Sequence, residues 1–423
     1  MNKKRLFTKS VVAVAITMAS QQALAAGFQL NAQSATGLGR AFAGDAVIAD
    51  NASAMARNAA AMSLFDAPAI SLGINAIDTD IDVKNAKYTS LNPALSGDLD
   101  DQSVGDVSYV PNIYYIHPIN DKWAVGAGIY SNFGTKTEFS SDYRANEYGG
   151  MTDVKSINFA LSASYRINQQ WSVGGGLDVI YGSGKLQRTN QFIEGTLESA
   201  TNVSGPLLDV DADGVALGWN IGTVYELNDN NRFGLSYRYS PELEAEGDMY
   251  YQPGGGDIGN EKLKMPLPDM AEFSGFHKLN DKFAVHYSVQ WIGWSAFDKL
   301  ETTGSKVLNT YEWQDGWHYA LGGTYYLNND WTLRTGYMYD TSAQDEITSI
   351  SVPDSDRQWF SAGFTYHIDS KSNIDFGLTY LVGEDVSVNE NTASPIPGVD
   401  ISSISATTHA NALLYGIQYS RSF

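Results

Sequence analysis

The feature that most constrains the fold is a repeated alternation of apolar and polar residues along the chain. In residues 157–167, apolar side chains stand at every second position, beginning with Ile157, Phe159 and Leu161. A period of two places such residues on one face of a β-strand. A long series of strands is therefore predicted, because the same pattern recurs at 317–327, 331–339, 360–368 and 374–382.

The connections between these segments are of two kinds, short turns and long polar stretches. Six turns carry Asn or Asp after an apolar residue, a choice that suits tight turns, and they lie at 119–122, 167–170, 227–230, 279–282, 327–330 and 368–371. An aromatic residue follows each turn near the start of the next strand, namely Trp123, Trp171, Phe233, Phe283, Trp331 and Phe376. Long connections are predicted at 136–151, 188–213, 241–262, 298–312, 340–356 and 384–408. Short turns on one side, long loops on the other and aromatic residues at the boundary are typical of an outer-membrane β-barrel.

The number of strands supports the same architecture. Six hairpins supply twelve strands within residues 107–382, and further strands at 70–83 and 409–423 bring the total to fourteen. An even number returns both ends of the barrel to the periplasmic side. The predicted fold class is an all-β transmembrane barrel of 14 antiparallel strands in the outer membrane. The alternative is a large secreted β-sandwich or propeller, which would require neither the aromatic boundary nor the alternation of short and long connections.

Composition excludes several other classes of protein. The 48 acidic residues exceed the 27 basic residues, for a net charge of −21, which excludes a nucleic-acid-binding protein that relies on phosphate contacts. The chain has no cysteine, which excludes disulfides, thiolate metal sites and cysteine catalysis. After the N-terminus, no apolar run approaches the roughly 20 residues that a membrane-spanning helix needs.

No motif indicates an enzyme or a cofactor. The six histidines are scattered without metal-ligand spacing, and no Ser/His pair suggests a lipase-like site. Residues 209–214 begin like an EF-hand loop, but the twelfth position is Asn220 instead of a bidentate Glu. We therefore predict no catalytic residue, no metal site and no cofactor. A solvated acidic loop is expected at 209–214, and a loose calcium contact is the alternative.

The N-terminal part of the chain does not belong to the strand pattern. Residues 1–25 are predicted to be a secretory signal peptide, because basic residues precede an apolar core at 11–19 and an Ala-Leu-Ala cleavage site at 23–25. Residues 26–66 are rich in Ala, Gly, Ser and Asn and lack the period of two, whereas residues 67–423 are predicted to form the barrel. The 26–66 segment is predicted to be a small, partly helical hatch inside the lumen. A flexible periplasmic tail is the alternative.

Several short motifs within and beyond this segment carry a family likeness. They read AGFQLN at 26–31, GLGRA at 37–41, IAD at 48–50, RN at 57–58 and LFD at 64–66, followed by VPN at 110–112, SNFG at 131–134 and GWN at 218–220. Together with the terminal Phe423, they resemble the FadL family, the outer-membrane long-chain fatty acid transporters of Gram-negative bacteria. The likeness covers nearly the whole chain.

The resemblance implies a ligand pocket, a gate and a lateral exit. The extreme N-terminus of such proteins reaches into a hydrophobic pocket, which maps to Phe28 and Leu30 as ligand-binding residues and to Gly27 and Phe28 as part of the gate. An inward kink in the third strand offers the lateral exit, and it matches Phe133 and Gly134. Glycine suits a kink or bulge because it opens dihedral space closed to other residues. An ordinary lumen glycine is the alternative.

Two positions depart from the family pattern. Asn58 and Ala59 begin an Asn-Ala-Ala sequence in place of the family's Asn-Pro-Ala, which removes a fixed φ and restores an N–H in the predicted gate. Arg188 matches a family arginine that binds the ligand carboxylate, a role suited to a planar guanidinium. A surface-loop arginine is the alternative. Asn309 takes the place of a second, basic partner, with Lys306 nearby.

The function implied is passive outer-membrane transport of long-chain fatty acids by way of the pocket, a hatch rearrangement and the kinked third strand. Uptake of neutral or aromatic hydrocarbons is the alternative within the family, and an aqueous general porin is the alternative of a different class. The expected partners are a long-chain fatty acid or another hydrophobic small molecule, outer-membrane lipid and lipopolysaccharide, and the barrel-assembly machinery, whose recognition signal the Phe423 end resembles. The protein is expected to be a monomer.

Overall fold

The wall of the molecule is a single closed sheet. The computed structural model describes residues 27–91, 93–189, 206–393 and 399–423, so the predicted signal peptide lies outside the described residues. Fourteen strands form the wall: β1 (Ala69–Ser90), β2 (Val107–Pro118), β3 (Trp123–Tyr130), β4 (Met151–Arg166), β5 (Trp171–Thr189), β6 (Pro206–Asn228), β7 (Asn231–Tyr239), β8 (Met270–Lys278), β9 (Phe283–Ile292), β10 (Gly316–Tyr326), β11 (Trp331–Asp340), β12 (Arg357–His367), β13 (Ser372–Gly383) and β14 (Asp400–Ser422).

The pairing of these strands confirms the predicted fold class. Each strand pairs antiparallel with the next one along the chain. The last strand, β14, returns to pair with β1 from Ala69↔Ser422 to Ser90↔Ser402. The sheet is therefore a closed 14-stranded antiparallel barrel, in which the backbone groups of the wall bond one another.

The two faces of the wall are inverted relative to those of a water-soluble protein. On β1, Leu72 and Ile74 are exposed, whereas Ser71 and Asn75 are buried. Outward side chains are apolar and inward side chains are polar, which is the arrangement of a barrel whose outer surface contacts lipid. Large aromatic side chains are exposed where strands begin after the short turns, at Trp123, Trp171, Phe283 and Trp331.

The short turns are closed by Asn and Asp side chains at the predicted places. In the first turn, Oδ1 of Asn120 accepts hydrogen bonds from the backbone N–H groups of Lys122 and Trp123 at 2.9 and 3.0 Å. The same pair of bonds recurs at Asn168, Asn280, Asn328 and Asp369. Asn228 makes the first of the two, to the N–H of Asn230. These hydrogen bonds join residues at most three positions apart, so each turn is stabilised locally.

Several strands extend further than the alternation predicted. The predicted loop at 188–213 is wrong in part, because β6 begins at Pro206 and includes residues 209–214 as extended backbone instead of a loop. The predicted loop at 384–408 likewise contains the strand Val386–Ala393 and the start of β14. The outward residues of β1 explain the error, since they change from apolar to Asp78 and Asp80 beyond the lipid-facing part. Strands above the lipid lack the apolar outer face that identified them.

The long connections contain further short elements. These are the strands Gly97–Asp98, Gln102–Ser103, Gly134–Glu138, Glu242–Tyr251, Gly256–Asp257, Leu263–Pro266, Lys299–Thr302 and Val307–Thr310, and the 3₁₀ helices Gln252–Gly254 and Trp294–Ala296.

Residues 27–66 lie inside the barrel. They contain the short helices α1 (Ala35–Leu38) and α2 (Ala54–Arg57) and the 3₁₀ helix Ala59–Leu64. Wall glycines let this lumen segment approach closely, because a Cβ atom at Gly377 would lie 2.2 Å from the backbone oxygen of Ala35. No helix in the described ranges is long and apolar enough to cross a membrane.

An ionic network joins the lumen segment to the wall, and within it Arg40 and Asp45 are buried whereas Asp50 is exposed. Arg40 lies 2.7 Å from both Asp45 and Asp50, and Asp50 also lies 3.3 Å from Arg334 of β11. Removal of one partner from a buried pair leaves an uncompensated charge, at a cost of about 3–5 kcal/mol. These contacts therefore hold the segment in one position against the barrel wall.

Candidate functional site

The third strand is interrupted where an inward kink is predicted. β3 ends at Tyr130, which pairs with Asn158 of β4. The chain resumes as the strand Gly134–Glu138, whose first residue pairs with Lys155 of β4. Three residues, 131–133, thus oppose two on β4, which is the arrangement of a β-bulge. The bulge is made by this extra residue. Gly134 does not have a positive φ, so the expected use of glycine's conformational freedom is not observed.

The ladder between β2 and β3 stops beside this bulge. The two strands pair from Pro118↔Ala124 as far as Ile113↔Ile129. Residues 107–112 of β2 continue to pair with β1, whereas the strand after the bulge pairs with β4. Within the described ranges, no ladder joins β2 to the bulged part of the third strand. The backbone ladder of the wall therefore has a lateral gap at this level.

The first residues of the lumen segment bond to the bulge. Gln29 forms an isolated antiparallel bridge with Phe133. The N–H of Leu30 donates to the backbone oxygen of Asn132 at 2.6 Å. On the other side of the bridge, the N–H of Gly134 donates to the backbone oxygen of Phe28 at 2.7 Å. The N-terminal residues thus form hydrogen bonds with backbone groups of the third strand beside the gap.

Phe28 lies in a cage of aromatic side chains. Its ring centroid is 4.5 Å from that of Trp294, 5.2 Å from that of Phe297 and 5.7 Å from that of Trp313. Gly27 has a φ of +60°, and a Cβ atom there would lie 2.6 Å from Trp313. Only glycine fits this position, because both the dihedral angle and the space exclude a side chain.

An apolar pocket adjoins the Phe28 ring. It leaves about 30 Å³ of free volume and is lined in part by Thr135 after the bulge and Leu186 of β5. The lining also includes loop residues that sequence reasoning missed, among them Leu263, Met265, Leu300 and Trp313. Their apolar character within polar connections was the only available signal. Leu30, predicted to bind ligand, is not in the lining and packs with Leu38 and Val110 in a separate cluster.

Arg188 is buried beside this pocket at the end of β5. Its Nη2 donates to the hydroxyl of Thr152, a residue of the pocket lining, at 2.8 Å. Its Nη1 donates to the backbone oxygens of Met151 and Gln187 at 2.7 and 2.9 Å. The residue is only 8% exposed, which excludes the surface-loop alternative. Among the described residues it forms no ion pair, and a guanidinium in this setting suits an anionic head group.

The residues considered for a second head-group contact point to different partners. Lys306 forms an ion pair with Glu261 at 3.1 Å. Oδ1 of Asn309 accepts from the N–H of Thr310 at 3.0 Å. Tyr311, two residues further on, lines the pocket. Tyr311, which sequence reasoning did not identify, is therefore a polar residue of the pocket available for the second head-group contact.

Glu390 is a half-buried acidic residue that interacts electrostatically with Arg188. It lies on the strand Val386–Ala393, beyond the lipid-facing part of the wall. The N–H of Ile350 donates to its Oε1 at 2.8 Å, and the hydroxyl of Ser349 donates to its Oε2 at 3.3 Å. Burial raises the pKa of Glu390 from 4.5 to about 7, although Arg188 acts in the opposite direction. Ionisation of this carboxyl group therefore opposes the folded state as pH rises between these two values.

Anion binding at Arg188 is expected to depend on pH through the charge of Glu390. We expect the affinity for tetradecyl sulfate, whose head group stays ionised throughout, to fall about threefold to tenfold as the pH rises through 7, which is the effect of a partly screened charge. The reason is that ionised Glu390 opposes a second anion near Arg188. Titration calorimetry below and above pH 7 measures the change. The Glu390→Gln variant should bind equally at both pH values. If that variant kept the pH dependence of the wild-type protein, Glu390 would not be the group responsible.

Asn58 and Ala59 lie away from the pocket. Oδ1 of Asn58 accepts from the N–H of Ala60 at 3.0 Å, and its Nδ2 donates to the backbone oxygens of Ala46 and Thr223 at 2.9 and 3.1 Å. Ala59 is the first residue of the 3₁₀ helix, a position that accepts proline without loss of a needed N–H. The departure from Asn-Pro-Ala therefore leaves this cap intact, and Asn58 still ties the lumen segment to β6.

Comparisons with known proteins agree with the barrel fold. A family model described as "Outer membrane protein transport protein (OMPP1/FadL/TodX)" matches residues 16–423. The chain belongs to the FadL family. It is accordingly an outer-membrane protein, as predicted, and the FadL family and fold are those of transporters or channels and not of enzymes.

Individual members of the FadL family are similar over most of their length. A long-chain fatty acid transport protein of Escherichia coli O6:H1 (strain CFT073) is 36% identical over 458 residues, which cover 100% of both chains. Outer membrane protein P1 of Haemophilus influenzae is 35% identical over 462 residues, or 99% of each chain. A solved FadL homologue from Pseudomonas aeruginosa shares the fold with a TM-score of 0.81 at 21% identity, covering 94% of this chain and 100% of its own. The toluene transporter TodX of P. putida has a TM-score of 0.62 at 19% identity, covering 88% and 94%.

Proposed function

We propose that the protein transports long-chain fatty acids passively across the outer membrane. The observation that carries the proposal is an apolar pocket with the buried guanidinium of Arg188 at its edge, hydrogen-bonded to a lining residue and free of any ion pair among the described residues. Relatives at 36% and 37% identity that are named long-chain fatty acid transport proteins support the same substrate class.

Affinity for such a ligand comes from its two unlike ends. Each methylene that leaves water for the apolar lining contributes about 0.8 kcal/mol, or roughly fourfold in affinity. Arg188 orients the carboxylate, with the Tyr311 hydroxyl as a second donor. A long chain therefore binds more tightly than a short one, and the head group faces β5.

Transport requires the bound ligand to leave through the wall. In this mechanism, Gly27 and Phe28 withdraw from the aromatic cage, the bridge between Gln29 and Phe133 breaks, and the gap between β2 and β3 opens to the membrane. A ligand drives this rearrangement only to the extent that it binds the open state more tightly than the closed one. Asn58 and Ala59 lie in a part of the hatch that either moves during this rearrangement or stays fixed to the wall. The sequence contains no nucleotide-binding motif, so transport follows the concentration gradient.

Uptake of neutral or aromatic hydrocarbons is the second candidate. The rings of Trp294, Phe297 and Trp313 around Phe28 offer surfaces on which an aromatic ligand would pack. A toluene transporter has the same fold, which supports this candidate at the level of architecture. Arg188 would then make no contribution to binding.

Equilibrium binding of the detergent-purified protein to oleate, methyl oleate and toluene separates the two candidates. Fatty acid recognition predicts that oleate binds more tightly than its methyl ester and far more tightly than toluene. Equal or tighter binding of toluene would assign the pocket to neutral hydrocarbons instead. Contact with lipopolysaccharide, recognition of the Phe423 end by the barrel-assembly machinery and the monomeric state stay predictions from the sequence.

A further inference from the structure

A second cavity lies across the bridge between Gln29 and Phe133, and it is polar where the first pocket is apolar. It leaves about 20 Å³ of free volume. Its lining includes Gln33 of the lumen segment and Asn132 of the bulge, the residue next to Phe133. Arg57, Arg238 and Glu272 supply its charged groups. The cavity therefore adjoins the bulge on one side, as the apolar pocket adjoins it on the other through Thr135.

The two arginines of this cavity differ in how fully they are bonded. Arg238 forms an ion pair with Asp178 and donates to the backbone oxygen of Ala56 at 2.7 Å. Arg57 lies 3.5 Å from its carboxylate partner Glu272, well beyond the 2.7–2.9 Å that is typical of a strong charged hydrogen bond. Arg57 is thus the less compensated of the two charges.

The Nε atom of Arg57 is unused. Its Nη2 donates to the side-chain oxygen of Asn31 at 2.9 Å, but Nε is buried without a hydrogen-bond partner among the described residues. Glu272 meanwhile accepts from the hydroxyls of Ser274 and Ser288 at 2.8 and 3.0 Å. A further acceptor at Arg57 would complete its bonding without displacing these contacts.

Gln33 and Asn132 add two more unused atoms. Nε2 of Gln33 donates to Oδ1 of Asn132 at 2.5 Å, which leaves Oε1 of Gln33 and Nδ2 of Asn132 buried without partners within the described chain. The two residues are 5% and 1% exposed. Turning both amides over would still leave one donor and one acceptor. Buried polar atoms are nearly always bonded, so these unused atoms require a partner that the described chain does not itself supply.

We propose that the polar cavity binds the carboxyl group of the ligand on its way out, with Arg57 Nε and Asn132 Nδ2 as the donors. The inference rests on the proposed fatty acid transport. A carboxylate that leaves Arg188 for the lateral gap would lose its partners in a buried space, which is costly unless others replace them. Asn132 stands at the bulge itself, so the head group reaches new donors as the acyl chain enters the gap.

Replacement of Asn132 by Asp tests the exit site. The variant keeps an acceptor for Gln33 but sets a negative charge against the carboxylate. We expect oleate uptake into proteoliposomes to fall about tenfold, the value of one charge-assisted hydrogen bond, while uptake of methyl oleate and equilibrium binding of oleate to the apolar pocket change little. The uncharged Asn132→Leu variant, of similar size, should slow oleate uptake less than Asn132→Asp.

The outcomes distinguish the exit site from its alternatives. If the Asn132→Asp variant took up oleate at the wild-type rate, the exit site would be overturned. The cavity would then be one that holds water. Equal slowing of oleate and methyl oleate would overturn it as well and assign Asn132 to the shape of the bulge. Failure of the wild-type protein to bind or transport oleate would instead overturn the proposed function, and the exit site with it. The electrophoretic shift of the unheated barrel confirms that each variant is folded.

Discussion

A disulfide between positions 29 and 133 is expected to stop oleate uptake, and its reduction is expected to restore it. Gln29 and Phe133 face each other in an antiparallel bridge, and the two backbone hydrogen bonds lie on the residues that flank them. The Cα atoms of such a non-hydrogen-bonded pair are about 4.5 Å apart, within the range that a disulfide spans. Because the chain has no cysteine, the double variant Gln29→Cys, Phe133→Cys contains one possible disulfide.

The measurement is radiolabelled oleate uptake by cells that lack other fatty acid transporters, before and after treatment with a membrane-permeant reductant. The single variants Gln29→Cys and Phe133→Cys control for the loss of either side chain and should respond to neither oxidant nor reductant. Oxidised and reduced forms of the double variant that transport oleate at the same rate would contradict a gate in which the N-terminal residues leave the bulge.

Replacement of Arg188 by Gln is expected to weaken oleate binding about 10- to 100-fold, because a charge-assisted hydrogen bond contributes about 1.5–3 kcal/mol. The guanidinium already contacts the pocket through the hydroxyl of Thr152, and a carboxylate beside that hydroxyl would gain a charged partner. Binding of methyl oleate, which carries no charge, should change far less. Titration of both ligands against the same preparations gives the difference directly.

Arg188→Lys is the matched variant, because it keeps the charge but not the planar fork. It should recover part of the oleate affinity and leave methyl oleate unchanged. Arg188 also bonds the backbone oxygens of Met151 and Gln187, so damage to the local fold would weaken both ligands together. A parallel loss for oleate and its ester would therefore remove Arg188 from the head-group site and leave it as a structural residue.

Much of the wall could be predicted because its signals are local. The side chains of Asn120 and Asn168 close their own turns within three residues, and lipid selects an apolar residue at each outward position. Both effects are written into neighbouring residues, so strand number and closure followed from them. The parts of the strands beyond the lipid were missed because water imposes no apolar face on their outer surface.

The pocket and its polar neighbour depend on contacts distant in sequence. Met265 and Trp313 meet Phe28 only because loops from different strands fold over the lumen. Arg57 finds Glu272 at a separation of 215 residues, and no local pattern records such a pair. The family resemblance located Phe133 and Gly134, yet the physical cause of the bulge was an added residue and not the glycine. Distant geometry of this kind requires the three-dimensional structure.

The unequal length of the strands has a consequence for where a ligand is met. β6 and β14 have 23 residues each, an extended length of about 75 Å at 3.3 Å per residue, whereas the apolar band of such barrels is only about 25 Å tall. On β14 the exposed large apolar residues begin at Leu413, so the preceding half of the strand stands clear of the lipid as a collar. The proposed transport therefore predicts that a hydrophobic molecule first meets the protein at this collar, outside the lipid-facing band.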